Sequence, residues 1–107
     1  MASNQLSGSL DLLLLSVLTS GEAHGYAVIT RLRETSHGAF DLPEGTVYPA
    51  LHRLEDVGLL SSRWDTTVGR KRRCYALTAA GAASLRTKRS QWTAFSLGVQ
   101  AVIEGPT

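Results

Sequence analysis

The feature that most constrains this chain is a run of leucines near its start, where residues 10–18 read LDLLLLSVL. Seven of these nine residues are large and apolar, far more than the single stripe of an amphipathic helix needs. A helix formed here is therefore apolar nearly all round. Because a chain of 107 residues has room for only one compact core, it has little with which to cover both sides. The sequence predicts that one side of this helix faces the protomer's own core and the other faces a second subunit.

Length and composition limit the chain to one folded domain. It is 43% hydrophobic and 19% charged, which is ordinary for globular proteins and argues against disorder. No apolar run approaches the roughly 20 residues that span a bilayer, and the first residues lack the basic start and cleavage site of a secretory signal. We therefore expect a protein of the cytoplasm without a membrane partner. Cys74 is the one cysteine, so it forms no internal disulfide and is expected to be a small strand residue.

Charge is distributed unevenly along the chain. Residues 1–62 carry 3 cations and 7 acidic residues, for a net charge of −4, whereas residues 63–107 carry 8 cations and 2 acidic residues, for +6. A small fold then has one strongly positive part, where many weak phosphate contacts can hold a polyanion. A solvated basic face explains the same distribution, so charge alone leaves both interpretations open.

Two helices are predicted after the leucine run. The first spans about 24–34, where apolar residues recur at helical spacing, and a short strand is predicted at 40–42. The second helix spans about 44–57, and Gly58 is placed to stop it. Pro49 lies inside this helix, where its missing amide hydrogen predicts a bend or an irregular first turn.

The second half of the chain predicts a β-hairpin followed by one long helix. The segments 59–67 and 72–77 are β-prone and flank Val68 and Gly69, which is a hairpin signal. Thr78 is placed to cap the final helix. In that helix apolar residues repeat every seven positions in two interleaved sets, a pattern typical of a helix that pairs with another helix. The first set is Leu85, Trp92 and Val99, and the second is Phe95 and Val102.

Three stretches of the chain together resemble the PadR family of transcription regulators. They read HGYAVITRL at 24–32, EGTVYPALHRLEDVGLL at 44–60 and GRKRRCYALTAAGAASL at 69–85. The middle stretch is the most specific, because many of its residues stand at the family's characteristic spacing. These residues are Gly45, Thr46, Tyr48, Pro49, Leu51, Arg53, Leu54, Glu55, Gly58 and Leu59. The single helix that follows is similar to the short branch of the family.

The resemblance implies a mainly α fold with a small β-hairpin, namely a winged helix-turn-helix followed by a long C-terminal dimerisation helix. Residues 1–77 would form the DNA-binding region and residues 78–107 the dimerisation helix, within one domain. It implies a sequence-specific regulator that binds an inverted-repeat operator in double-stranded DNA as a homodimer and acts as a repressor. It implies no catalytic activity, cofactor or metal.

The helix at 44–57 is the one expected to enter a major groove, where its early residues reach base edges. Its candidate DNA contacts are Thr46, Tyr48, His52 and Arg53. Arg53 is suited to a bidentate pair with guanine, to a phosphate contact, or to an ion pair with a nearby carboxylate such as Asp56. His52 is either a base contact or a solvated surface histidine.

The hairpin, which forms the wing, supplies the cations expected to hold the DNA backbone. They are Arg63 on its first strand and Arg70, Lys71, Arg72 and Arg73 beside its turn. Because side chains alternate faces in an extended segment, only two or three of the four consecutive cations are expected to contact phosphate at once. The alternative is a solvated tip. Tyr26 is either a phosphate ligand at the positive end of its helix or a core ring.

The dimer interface is expected to combine the leucine-rich helix with the final helix. Its predicted residues are Leu12, Leu15, Leu85, Trp92, Phe95, Val99 and Val102. In the simpler interpretation Trp92 packs across this interface. In the other, it lines a pocket there for a small aromatic effector, as a tryptophan of the final helix does in some regulators of the family.

Two other classes of protein fit the sequence less well. An enzyme is disfavoured because the chain lacks a nucleophile elbow, a phosphate-binding glycine loop and an HExxH motif. The residues His24, His37, His52 and Cys74 are scattered over different elements, so no metal site is expected. A winged-helix module that binds proteins is the main competitor. Arg53 together with the wing cations favours DNA instead.

Overall fold

The fold is described by a computed structural model, which covers residues 2–67 and 69–106, with side chains from residue 9 onward. In chain order the elements are α1 (Ala2–Val17), a 3-10 turn (Leu18–Ser20), β1 (Ala23–His24), α2 (Gly25–Thr35), α3 (Glu44–Asp56), β2 (Leu60–Asp65), β3 (Arg72–Leu77) and α4 (Ala79–Glu104). The strands form an antiparallel sheet in which β3 lies between β1 and β2. Within the described part of the chain, no helix has the length and apolar character needed to cross a membrane.

The predicted fold class is confirmed, since the chain is mainly helical with a small antiparallel sheet and a long final helix. The hairpin strands, α3 and α4 lie where they were predicted. Thr78 caps α4 as predicted, because its side-chain oxygen accepts a 2.9 Å hydrogen bond from the amide of Gly81. The leucine run lies within α1 up to Val17, and Leu18 starts the 3-10 turn; α1 begins earlier than predicted, at Ala2.

Two local predictions are corrected by the structure. Residues 40–42 form no strand, because the amide of Phe40 donates to the hydroxyl of Ser36 at 2.9 Å and not to a neighbouring strand. In addition, β1 was not predicted, and its two residues pair with Tyr75 and Cys74 of β3. A segment of two residues is too short to show an alternating pattern, so this third strand follows only from the packing of α2 against the hairpin.

α3 runs through Pro49 without a break. The carbonyl of Pro43 accepts hydrogen bonds from the amides of Thr46 and Val47, at 3.0 and 3.1 Å, and so starts the helix. Gly58 ends it as predicted. Its φ of 83° allows the amide of Leu59 to return to the carbonyl of Leu54 at 2.9 Å, which is the glycine-based helix stop that left-handed backbone permits.

One side of the leucine run faces the core, as the sequence predicted. Leu14 and Leu15 of α1 are fully buried, whereas Leu12 and Leu13 are only partly covered. Leu14 and Leu15 pack in one cluster with residues from α2, α3, the sheet and the start of α4. The main members of that cluster are Val28, Val47, Leu51, Leu54, Leu60, Tyr75 and Leu85. The core therefore fixes α3 and the hairpin against α1, and it leaves the rest of α4 outside.

Gly81 allows the start of α4 to lie close to the end of α3. A Cβ at this position would stand 2.0 Å from the carbonyl oxygen of Leu59. We expect Gly81→Ala to lower the free energy of unfolding by about 1–3 kcal/mol, because a methyl group forced into packed backbone is destabilising. Gly98→Ala is the matched control in the same helix, where nothing lies within 4 Å. Its better helix propensity should raise stability by about 0.5–1 kcal/mol. Thermal unfolding measures both, and equal shifts for the two variants would contradict this packing.

Candidate nucleic-acid interface

The core contacts of α3 determine which of its residues face solvent. Val47, Leu51 and Leu54 point inward, so at 100° per residue the centre of the outer face is occupied by other positions. These are Gly45, Pro49, His52 and Asp56, and all four are exposed. Thr46 and Arg53 lie on one flank of this face and Tyr48 lies on the other. The four predicted DNA contacts of this helix are therefore all on or beside its outer face.

Tyr48 is held in place by the first turn of α2. A Cβ added at Gly25 would stand 2.3 Å from Cε1 of the Tyr48 ring, so glycine is what lets the ring lie against the backbone there. Partial burial of the phenol and the negative charge of Glu44 raise the pKa of Tyr48 above its usual value. The hydroxyl is therefore protonated at neutral pH and can donate a hydrogen bond. Tyr26, one residue after Gly25, is 64% exposed and is not a core ring.

Arg53 has a partner that the sequence did not indicate. Its guanidinium donates two hydrogen bonds to the carboxylate of Asp11 in α1, at 2.6 and 3.1 Å. This pair raises the pKa of Arg53. Of the three roles open to Arg53, the free protein adopts the ion pair, with Asp11 in place of Asp56. Contact with DNA then requires that the guanidinium exchange this carboxylate for a phosphate or a base.

The register of the wing separates its cations between the two faces of the sheet. Trp64 pairs with Arg73, and Asp65 pairs with Arg72, so Arg73 and Arg72 point to opposite faces. Arg73 faces α3: it donates to the hydroxyl of Ser62 at 2.8 Å and lies 3.5 Å from the carboxylate of Glu55. Arg70, Lys71 and Arg72 are exposed, and among the described residues none of them belongs to an ion pair.

Arg63 points to the face of the sheet that lies away from α3. It forms a two-bond ion pair with Glu22, which lowers the pKa of Glu22 and raises that of Arg63. Glu22 precedes β1 in the chain, so this pair joins the two edges of the sheet across Cys74, the residue opposite Arg63. Like Arg53, Arg63 is a candidate DNA contact that already holds a carboxylate.

Two further residues, Asp65 and His24, fix the wing next to its turn, and neither was predicted from the sequence. Asp65 accepts hydrogen bonds from the amide and the hydroxyl of Thr67, at 3.0 and 2.7 Å, and its other oxygen lies 3.0 Å from Nε2 of His24. The bonds from Thr67 and then that from His24 hold the pKa of Asp65 well below its usual range. An Asp two residues before a Thr is a turn signal that could have been read. The partner His24 is 41 residues away and carries no such signal.

The predicted dimer residues divide into two groups. Leu15 and Leu85 are buried in the protomer's own core, so in this conformation they offer no surface to a partner. These two residues are therefore removed from the predicted interface. Trp92, Phe95, Val99 and Val102 are exposed along α4, and Leu12 is partly covered. Ile103, which was not among the predicted residues, is 76% exposed on the same side. The exposed apolar stripe thus starts one heptad later than the sequence suggested.

Two hollows lie on the protein surface, one along α4 and one between α1 and α2. One, of about 480 Å³, follows α4 and is lined by Trp92, Phe95, Val99 and Ile103 among others. The second, of about 350 Å³, lies between α1 and α2 and has an apolar floor that includes Leu13, Val17 and Leu32. Within the described residues, no three His, Cys, Asp or Glu side chains are grouped so that they could hold a metal ion.

Comparisons with known proteins agree with the fold. The model of the transcriptional regulator PadR-like family matches residues 14–87. The chain is 42% identical over 76 residues to the transcriptional regulator Rv3488 of Mycobacterium tuberculosis, which covers 71% of this chain and 68% of the relative. A PadR family transcriptional regulator from Eggerthella lenta is 35% identical, with a TM-score of 0.84 over 99% of this chain and 91% of that chain. The structure of Bacillus subtilis PadR in complex with operator DNA is 25% identical, with a TM-score of 0.67 over 73% of this chain and 44% of that chain.

Proposed function

The chain belongs to the PadR-like family of transcriptional regulators, and we propose that it binds a specific operator in double-stranded DNA as a homodimer and represses transcription. The family consists of regulators and not of enzymes. One solved relative, Bacillus subtilis PadR, is bound to operator DNA. A dimer that occupies promoter DNA blocks access to it, so repression needs no activity beyond binding.

The observation that carries this proposal is the position of the wing beside the outer face of α3. A groove-reading protein needs a helix for the base edges and neighbouring cations for the phosphates. Arg73 reaches Glu55 in the last turn of α3, so the hairpin and the helix are joined on the face that carries Tyr48 and His52. This arrangement supports the proposal that the exposed cations of the wing, Arg70, Lys71 and Arg72, reach the backbone beside the groove that α3 would enter.

The proposed DNA contacts differ in whether an ion pair of the free protein must break before they bind DNA. Arg70, Lys71 and Arg72 are exposed and suited to phosphate contacts. Arg53, Arg63 and Arg73 each hold a carboxylate in the free protein, so they contribute less net affinity, because that ion pair must first be broken. Thr46, Tyr48 and His52 are the proposed base contacts, and Tyr26 the proposed phosphate ligand at the start of α2.

Homodimerisation through α4 and the outer side of α1 supplies the two-fold symmetry of the operator. A stripe of large apolar side chains as long as that of α4 is unusual on a monomer of this size. Two symmetry-related copies of α3 would then address half-sites about one helical turn apart, or a multiple of it, in an inverted repeat.

Any small aromatic effector is proposed to bind the hollow beside Trp92, because a ligand there changes the distance between the two recognition helices. A Trp92→Ala variant that kept both its dimeric state and its response would remove Trp92 from that site.

Replacing the proposed base contacts should reduce specificity more than overall affinity. We expect Tyr48→Phe and His52→Ala each to lower the ratio of operator to random-duplex affinity about 10-fold, since one base contact is worth roughly 1–3 kcal/mol of discrimination. His37→Asn is the control for His52→Ala. It removes an exposed imidazole away from α3, and asparagine tolerates the φ of 54° found at residue 37.

Competition titrations with labelled operator and random duplex give both affinities. Equal losses on the two duplexes would contradict the assignment of Tyr48 and His52 as base contacts. A protein that binds no duplex at low salt would instead favour the protein-binding winged-helix module and overturn the proposed function.

A further inference from the structure

The ring of Trp64 forms cation–π contacts with two of the wing cations, Lys71 and Arg73. Its indole is 53% exposed on β2, and Arg73 is its partner across the hairpin. The Nζ atom of Lys71 lies 5.1 Å from the ring centroid and the Cζ atom of Arg73 lies 5.0 Å from it. Both distances are within the range in which the face of an aromatic ring attracts a cation. The indole therefore attracts both positive side chains.

The two cations at this ring have different further partners. Arg73 also donates to Ser62 and lies beside Glu55 of α3, and the hydroxyl of Ser62 donates to the same carboxylate oxygen. Its guanidinium is therefore occupied by a ring, a hydroxyl and a carboxylate. Lys71 is exposed, and within the described residues no ion pair involves it. Of the two, Lys71 keeps its ammonium available to a ligand.

We propose that Trp64 is a positioning residue for DNA binding, which holds the ammonium of Lys71 toward the DNA backbone on the side of α3 while Arg73 braces the ring against Glu55. This inference rests on the DNA-binding function proposed above. A lysine on a free wing tip samples many rotamers, and fixing one of them before binding lowers the entropy lost when it contacts a phosphate. On the opposite face, Arg72 is not part of this arrangement.

A double-mutant cycle on DNA affinity tests the proposal. We expect Trp64→Leu to weaken binding to operator and to random duplex alike, by about 3- to 5-fold, and Lys71→Met to weaken it by at least as much. In the Trp64→Leu background, Lys71→Met should lower the logarithm of the DNA affinity by less than half the amount that it does in the wild-type background. Trp64→Phe should restore most of the affinity, because it keeps an aromatic face. Arg72→Met is the matched control, and its loss should simply add to that of Trp64→Leu.

The salt dependence separates positioning from a general loss of the wing. One phosphate contact changes the slope of log K against log salt concentration by about 0.9. Trp64→Leu should therefore reduce the slope by no more than this amount for each protomer, and adding Lys71→Met should reduce it little further. A reduction by several contacts would mean that the wing has lost its structure, and it would overturn the positioning role.

A measurement on the free protein keeps this inference distinct from the proposed function. In a Trp92→Phe background, Trp64 is the only tryptophan, and Lys71→Met should shift its fluorescence whether or not DNA is present. If the wild-type protein binds duplex but losses in the Trp64 and Lys71 cycle are additive, the inference fails and the DNA-binding function stands. If the wild-type protein binds no duplex, both fail together.

Discussion

Replacing Phe95 and Val99 by glutamate is expected to convert the protein into a monomer and to lower its affinity for operator DNA at least about 100-fold. Both side chains are exposed on α4 in the protomer, at 63% and 38%, so the charges are not buried unless a partner covers them. At a dimer interface they would face each other and remain unpaired, which is strongly unfavourable. A monomer engages only one half-site, and losing the second linked contact removes an avidity of roughly 10²–10⁴.

The same helix provides the control for this prediction. Leu97 is 62% exposed, but at 100° per residue it points away from the side that carries Phe95 and Val99. Leu97→Glu should therefore leave both the mass in solution and operator binding close to those of the wild type. Light scattering at micromolar concentration reports the mass. A wild-type protein that is monomeric there, or a double-glutamate variant that remains a dimer, would contradict the proposed interface.

Removing the wing cations is the second change with a large expected effect. We expect alanine at Arg70, Lys71, Arg72 and Arg73 to lower affinity for operator and random duplex alike, by about 100-fold at physiological salt. Two or three phosphate contacts per protomer each contribute a slope of about 0.9 in log K against log salt concentration. The measured slope should therefore become shallower by about two to three for each protomer.

Cations elsewhere on the protein distinguish local contacts from net charge. Arg33, Arg86 and Arg89 are exposed and lie outside the wing. Alanine at these three positions removes nearly as much charge but should change the salt slope by less than one contact, because long-range attraction between exposed charges is screened. Similar slopes for the two variants would show that the wing cations act only through the overall charge of the protein.

Much of the fold could be predicted from the sequence because its signals are local. Val47, Leu51 and Leu54 repeat at the helical period, and Gly58 and Thr78 mark where α3 ends and α4 begins. Each of these signals depends on residues within a few positions of one another, where backbone geometry sets the spacing. Pro49 is a different case: its local preference predicted a bend or an irregular first turn, and α3 continues through it from Glu44 to Asp56.

The ion pairs of the site could not be predicted, because their partners are distant in sequence. Arg53 meets Asp11 and Arg63 meets Glu22, at separations of 42 and 41 residues. Opposite charges at such separations meet only when the fold brings them together. The consequence concerns function: three of the cations assigned to DNA, Arg53, Arg63 and Arg73, already have a carboxylate partner, which the sequence could not show.

The predicted interface included the core residue Leu85 for a related reason. Leu85, Trp92 and Val99 share one seven-residue repeat, and a helix shows the same period whether its neighbour is its own core or a second subunit. The repeat therefore continues from Leu85, which packs inside the protomer, to Trp92, which is exposed. Only the folded structure shows at which residue of α4 the core packing stops and the apolar side chains become available to a partner.

Selection of bound sequences from a random duplex library tests the central claim most directly, because every possible operator competes in one experiment. The protein is incubated with the library at low and at physiological salt, and the bound fraction is amplified and sequenced over several rounds. We expect enrichment of an inverted repeat whose half-sites lie about one helical turn apart, or a multiple of it. The double-glutamate variant of Phe95 and Val99 should fail to enrich it. Recovery of unselected sequences at both salt concentrations, or of a single half-site without symmetry, would contradict the proposal that this chain is a dimeric, sequence-specific DNA-binding regulator.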